Sequence, residues 1–281
     1  MADQEVEVPA SAEADVEMAG AEGEDAEVEN GDNNEGTADA EVAVRTNPQN
    51  VFLDYLKSPI VELRVGGDDD FTILTAHSAL LSQSPYFAAK LAEQTPAADT
   101  IQRISLSDAS LDAVGCLLQY QYTGEYFPRR VPGKPEVLET DPSLPALDNT
   151  GDQLLKHARV YTLAEKLGLP KLKALAHSKI HRINSTASGE IAYARYVYAN
   201  TPADDSTIRR PVAAFWATRS HVLRHEAEDD FRTMCLEYPQ FGFDVLSLVL
   251  DQREKRSAAR GEEETPSKGS ARKRMRTSIN V

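Results

Sequence analysis

Two histidine pairs stand four residues apart, His177 with His181 and His221 with His225. On a helix that spacing puts both rings on one face, where they can clamp a metal ion once a third ligand joins. Neither pair has the His-Glu-x-x-His order, and no cysteine cluster lies beside them. Solvated or capping histidines are therefore expected, with no metal and no cofactor. Asp68-Asp69-Asp70 lacks the ligand spacing and closing Glu of a calcium loop. Gly66-Gly67 is not followed by the Gly-Lys-Ser/Thr of a phosphate cradle. Cys116 and Cys235 are too few for a disulfide framework or a zinc ribbon, which suits a reducing, intracellular setting. His77 stands where a strand turns into a helix, and no Ser or Cys with an acid surrounds it in sequence. Its ring is expected to bond backbone groups at that junction. Ser84 is expected to bond a carbonyl within its own helix and to let another helix approach. Tyr120, Tyr122 and Tyr126 read as packing groups with one polar end. No arrangement supports catalysis, and the chain is read as a non-enzyme.

The elements that position these residues follow from periodicity. Phe52, Leu53 and Leu56 share one face of a short helix. Val61, Leu63 and Val65 alternate with Glu62 and Arg64, the period of a half-buried strand. Gly66 to Asp70 is a turn, and Phe71 to Thr75 the returning strand of a hairpin. One helix is expected from Ser78 to Leu91, and a third strand over 101–106. Ser107-Asp108 has N-cap character ahead of a helix carrying Leu111, Val114, Leu118 and Tyr122, with Gly124 as its left-handed stop. Residues 127–151 hold five of the 15 prolines and show no periodicity, so a surface insertion is expected. Helices over about 153–167 and 171–183, separated by Gly168-Leu169-Pro170, form an antiparallel pair. Ile191, Ala194 and Tyr198, then Val212 to Leu223, then Val245, Leu248 and Val249 suggest three further helices.

Charge is distributed unevenly. The 281 residues carry 45 acids and 30 bases, a net charge of −15. Residues 1–44 hold 15 carboxylates and no Lys or Arg, so the remaining chain sums to zero. Residues 1–47 are expected to be a disordered acidic tail, because they bury too little apolar surface to offset backbone entropy. Residues 252–281, with nine bases and four acids, read as a disordered basic tail. Between them the reading places a domain over 48–185, with the insertion at 127–151, and a helical extension over 186–251. The central region is not basic, so specific nucleic-acid binding is not expected. No apolar run reaches the ~18 residues of a membrane span. The opening Met-Ala-Asp-Gln-Glu has no charged-plus-apolar leader, so secretion is not expected. Arg272, Lys273, Arg274 and Arg276 form a basic cluster that suits a nuclear import signal, and a nuclear or nucleo-cytoplasmic location is expected.

Three stretches carry a family pattern. The first is Phe71-Thr-Ile-Leu-Thr-Ala-His77-Ser-Ala-Leu-Leu81-Ser-Gln-Ser84-Pro-Tyr-Phe87. The second is Leu118-Gln-Tyr-Gln-Tyr122-Thr123-Gly124-Glu-Tyr126. The third is Leu154-Leu155 through Ala158, Tyr161, Leu163 and Leu167, followed by Leu172 to Lys179. In this order and spacing, residues 58–183 resemble a BTB/POZ domain, particularly of the fungal type. The resemblance implies an α/β (α+β) fold, a small sheet flanked by helices, here followed by the smaller all-helical extension. It also implies protein partners, with His77, Leu81, Ser84, Phe87, Tyr122, Thr123 and Gly124 as structural motif positions. Many members bridge a cullin scaffold to a substrate for ubiquitylation, so a protein–protein interaction adaptor is expected, with a homodimer through the BTB domain. The alternative is a nuclear chromatin-associated or transcriptional regulator using the charged tails for partner contacts. Two features differ from the family: Ser58-Pro59-Ile60 stands where many members have Ser-Asp, and the 127–151 insertion precedes the closing helices.

Overall fold

Alternation along the first hairpin sets the sheet. In the computed structural model, which describes residues 48–94 and 100–263, β1 (Ile60–Gly66) pairs antiparallel with β2 (Phe71–His77). Helix α1 (Pro48–Lys57) precedes them. Ser58 Oγ donates to Tyr55 O (2.7 Å) and accepts from Ala79 N–H (3.1 Å), tying the end of α1 to the helix after β2. The chain then crosses over through α2 (Ser78–Leu81) and α3 (Pro85–Glu93). That crossover delivers β3 (Gln102–Leu106) parallel to β1, in the order β2-β1-β3. Val61, Leu63, Val65, Ala76, Ile104 and Leu106 point inward and are buried. Helix α4 (Leu111–Thr123) starts on Ser110, which accepts from Ala113 N–H (3.3 Å). It ends at Gly124, whose φ of 78° lies in the left-handed region that favours glycine.

The later elements are β4 (Arg130–Val131), β5 (Lys134–Leu138), α5 (Asp152–Lys166) and α6 (Pro170–Ile180). They are followed by α7 (Ala187–Asn200), α8 (Ser206–Glu226), α9 (Glu228–Glu237) and α10 (Pro239–Glu263). A single hydrophobic core runs from the sheet through α4, α5 and α6 into α7 to α10. At the junction, Tyr161 of α5 donates to Asp205 (3.0 Å), and the hydroxyls of Thr162 and Tyr196 lie 2.7 Å apart. A Cβ on Gly189 would stand 2.2 Å from Ser185 Oγ and 2.8 Å from Asp148 O, so only glycine lets α7 start so close to the cap of α5. Further out, Trp216 stacks on Phe231 (5.3 Å between centroids) and meets Phe241 edge-on (6.2 Å). No described helix is long and apolar enough to cross a membrane.

Several expectations change. The single helix from Ser78 to Leu91 is two helices, because Ser84 is extended (φ −89°, ψ 126°) and Pro85 has no N–H to continue the ladder. Residues 127–151 are not wholly irregular: Pro132-Gly133 turns the β4–β5 hairpin. Helix α9, over residues 228–237, carries only one fully buried side chain, Met234, and its apolar periodicity is correspondingly faint. Residues 252–263 continue α10 as helix. Residues 253–258 are exposed, and their low apolar content is tolerated on a helix already nucleated by its buried first half. Residues 1–47 and Arg272, Lys273, Arg274 and Arg276 lie outside the described residues.

Candidate functional site

The motif residues serve the fold. His77 meets Tyr122 twice: Nδ1 lies 2.6 Å from the hydroxyl, and the His77 N–H donates to that same oxygen (3.1 Å). The ring thus bonds a side chain of α4 rather than backbone groups, and it joins the end of β2 to α4. The Ser84 hydroxyl donates to a carbonyl of another helix end, Leu167 O (2.5 Å) at the end of α5, rather than to one within its own helix. Ser84 also caps α3 by accepting from Phe87 N–H (3.4 Å). Leu81 and Phe87 are fully buried in the core. Thr123 Oγ1 lies 2.7 Å from Gln119 O and 2.6 Å from Glu125 O, closing the end of α4 before Gly124.

A second polar cluster lies beneath the β4–β5 hairpin and has no signature in spacing. Lys179 of α6 is fully buried. Its ammonium lies 2.6 Å from Glu125 Oε1, donates to Pro128 O (2.8 Å) and to Tyr126 O, and sits over the Tyr126 ring (3.7 Å). Burial lowers the Lys179 pKa, against the opposing pull of Glu125. Burial disfavours the Glu125 carboxylate as well, but the bonds from Lys179 and the Tyr126 N–H bring its pKa below the ordinary value. Tyr126 Oη lies 2.9 Å from His157 Nδ1, and burial pushes the His157 pKa down to about 3, so the ring is neutral. The cluster pins the root of the hairpin to α5 and α6. Breaking such a buried pair from one side costs about 3–5 kcal/mol.

Above it a cavity of about 470 Å³ opens between the hairpin segment and α5–α6, lined by Phe127, Leu138, Leu144, Lys156, His157 and Ile183. Two of its rim charges are engaged: Glu139 pairs with Arg129 (3.3 Å), and Arg182 Nε donates to Pro135 O (3.0 Å). His177 and His181 face each other with Nε2 atoms 3.2 Å apart. Among the described residues no three metal-capable side chains come together. His221 and His225 are exposed on α8.

The chemistry that is displayed outward is apolar. Phe52, Leu53 and Leu56 of α1 remain 41%, 51% and 40% exposed. They sit at i, i+1 and i+4, so they form one stripe. On the outer side of the edge strand β2, Phe71 and Ile73 are exposed as well, with Arg64 laid over the Phe71 ring (4.0 Å). A second stripe, Phe243, Leu246 and Leu250, runs along α10. Its spacing of i, i+3 and i+7 is legible in the sequence but is masked there by the overlapping stripe of Phe241, Val245 and Leu248 that faces the core. Isolated exposed apolar residues are ordinary, whereas stripes on helix faces mark contact surfaces.

No curated protein matches the chain. Residues 62–140, from β1 through the β4–β5 hairpin, match the BTB/POZ domain family. The small mixed sheet and its flanking helices are therefore a BTB/POZ domain, a module generally used for protein–protein interaction rather than catalysis, followed in this chain by a helical C-terminal region.

Proposed function

We propose that the protein is an adaptor that self-associates through its BTB/POZ domain and carries a partner to a cullin-type ubiquitin ligase. The observation that supports self-association is the uncovered stripe of α1. Phe52, Leu53 and Leu56 leave apolar surface in water that a second copy would cover, at a gain of about 25 cal/mol per Å². Light scattering on the full chain is expected to give a dimer mass, and Leu53→Asp a monomer. A monomer mass for the unaltered chain would reject self-association. Affinity purification from nuclear and cytosolic fractions tests the ligase role. Recovery of cullin and ubiquitin-conjugating components supports it, and histones or transcription factors in their place would shift the reading to a chromatin-associated regulator. That second reading is favoured by the charge pattern of the chain: 15 carboxylates over residues 1–44 and a basic cluster at Arg272, Lys273, Arg274 and Arg276. The cluster is proposed to direct nuclear import. Deleting 268–281 is expected to move the protein to the cytoplasm, and an unchanged nuclear signal would remove that role.

A further inference from the structure

Helix α10 is apolar on two sides. Phe241, Val245, Leu248 and Val249 pack on the core, yet Phe243, Leu246 and Leu250 remain 64%, 56% and 47% exposed. Apolar side chains that recur along one face of a helix are ordinarily covered. The exposed stripe spans eight residues, about 10 Å of helix axis, the reach of two turns of a docked helix. Its flank toward α8 is basic. There a groove of about 370 Å³ between α8 and α10 is lined by Ser220, His221, Gln252, Arg253 and Arg256, with Thr218 beside them. Among the described residues neither Arg253 nor Arg256 has a carboxylate within ion-pair distance. Of the carboxylates along this stretch, Asp244 accepts from Tyr198 (2.7 Å) and Gln240 (2.7 Å), and Glu254, one turn beyond Leu250, borders the stripe on the side away from Arg256. Asp251 lies toward the far flank by helical spacing.

We propose that the α8–α10 face is the recruitment surface of this protein, and that it takes an acidic amphipathic helix of a partner. Apolar side chains at i, i+3 and i+7 of that helix pack on Phe243, Leu246 and Leu250, and carboxylates along one of its flanks meet Arg253, Arg256 and His221. A second copy of the chain is the competing occupant: in an antiparallel two-fold pairing the same patch meets itself with the arginine flanks of both copies on one side. The surface lies outside the family-matched residues 62–140, so it supplies this chain with a contact face of its own.

The inference rests on the adaptor reading, but it is read by a separate signal. A fluorescein-labelled helical peptide with Leu at i, i+3 and i+7 and Glu along one flank is titrated with the full chain and followed by anisotropy. A second peptide carries Lys in place of each Glu. The Glu peptide is expected to bind, and Leu246→Asp to weaken it by about tenfold or more. Arg253→Glu with Arg256→Glu is expected to weaken the Glu peptide and to favour the Lys peptide. These side chains are exposed, so circular dichroism should be unchanged in the variants, and the charge swap carries its own control for folding. Leu53→Asp is expected to abolish self-association without changing the anisotropy, which separates failure of the dimer from failure of this surface. Equal binding of the two peptides, no binding of either, or indifference to Leu246→Asp would overturn the proposal. So would conversion of a dimer to a monomer by Leu246→Asp in sedimentation, which would make the stripe a self-interface.

Discussion

Glu190 is a side chain whose surroundings oppose its ordinary charged state. It lies on α7 only 8% exposed, and burial raises its pKa from 4.5 to about 7, with Arg219 pulling it down and Asp148 pushing it up. Between those two values the folded chain holds a proton that the unfolded chain has released. Stability contributed by Glu190 is therefore present below the unfolded value and is lost as pH rises through about 7. The size is on the order of 3 kcal/mol. Glu190→Gln is expected to match the unaltered protein in urea unfolding below the unfolded value and to be the more stable of the two at mildly alkaline pH. Equal stability at both would mean that Glu190 stays solvated. His157 has the opposite sign. Its folded pKa of about 3 lies below its ordinary 6.5, so stability falls as pH drops from 6.5 toward about 3. Neither shift is legible in the sequence, because each comes from neighbours distant along the chain.

At the scale of elements, Ser84 shows how one residue can do two jobs. The motif Ser84-Pro85 reads as a helix start once its cap is recognised, and Pro85 fixes the position. Its second bond, to Leu167 O, crosses 83 residues of sequence and holds the start of α3 against the end of α5. Ser84→Ala removes a cap and leaves a buried carbonyl without its donor, a loss of about 1–3 kcal/mol. Chemical denaturation should show a lower midpoint with an unchanged slope, and Ser84→Thr should recover part of it. A midpoint unchanged in Ser84→Ala would mean that water replaces the hydroxyl. The helices α5 and α6 were readable from periodicity because each buries one stripe. The first half of α10 was readable on only one of its faces, since two interleaved stripes blur the 3.6-residue period.

For the whole molecule, the continuous core joins the sheet, α5 and the C-terminal helices into one packed body. Tyr161, Thr162 and Lys173 meet Tyr196 and Asp205 across the junction. The protein is expected to unfold with coincident transitions by far-ultraviolet circular dichroism and by tryptophan fluorescence. The single tryptophan, Trp216, sits in α8 and reports on the C-terminal helices alone. Separate transitions would show that these helices melt independently of the BTB/POZ domain.

The local order of elements follows from the sequence by itself: the alternating strands, the turn at Gly66 to Asp70, the stop at Gly124 and the paired helices α5 and α6. Each rests on a preference or period that acts within a few residues. The unequal distribution of charge along the chain is likewise a property of sequence. Only the tertiary structure decides the rest. It pairs β3 parallel with β1, buries Lys179 against Glu125, joins His77 to Tyr122, and turns Phe243, Leu246 and Leu250 outward beside Arg253 and Arg256. The physical reason is common to all of these. Whether a side chain is covered, paired or left in water depends on groups brought together from far along the chain, and a period in sequence states only which residues share a face.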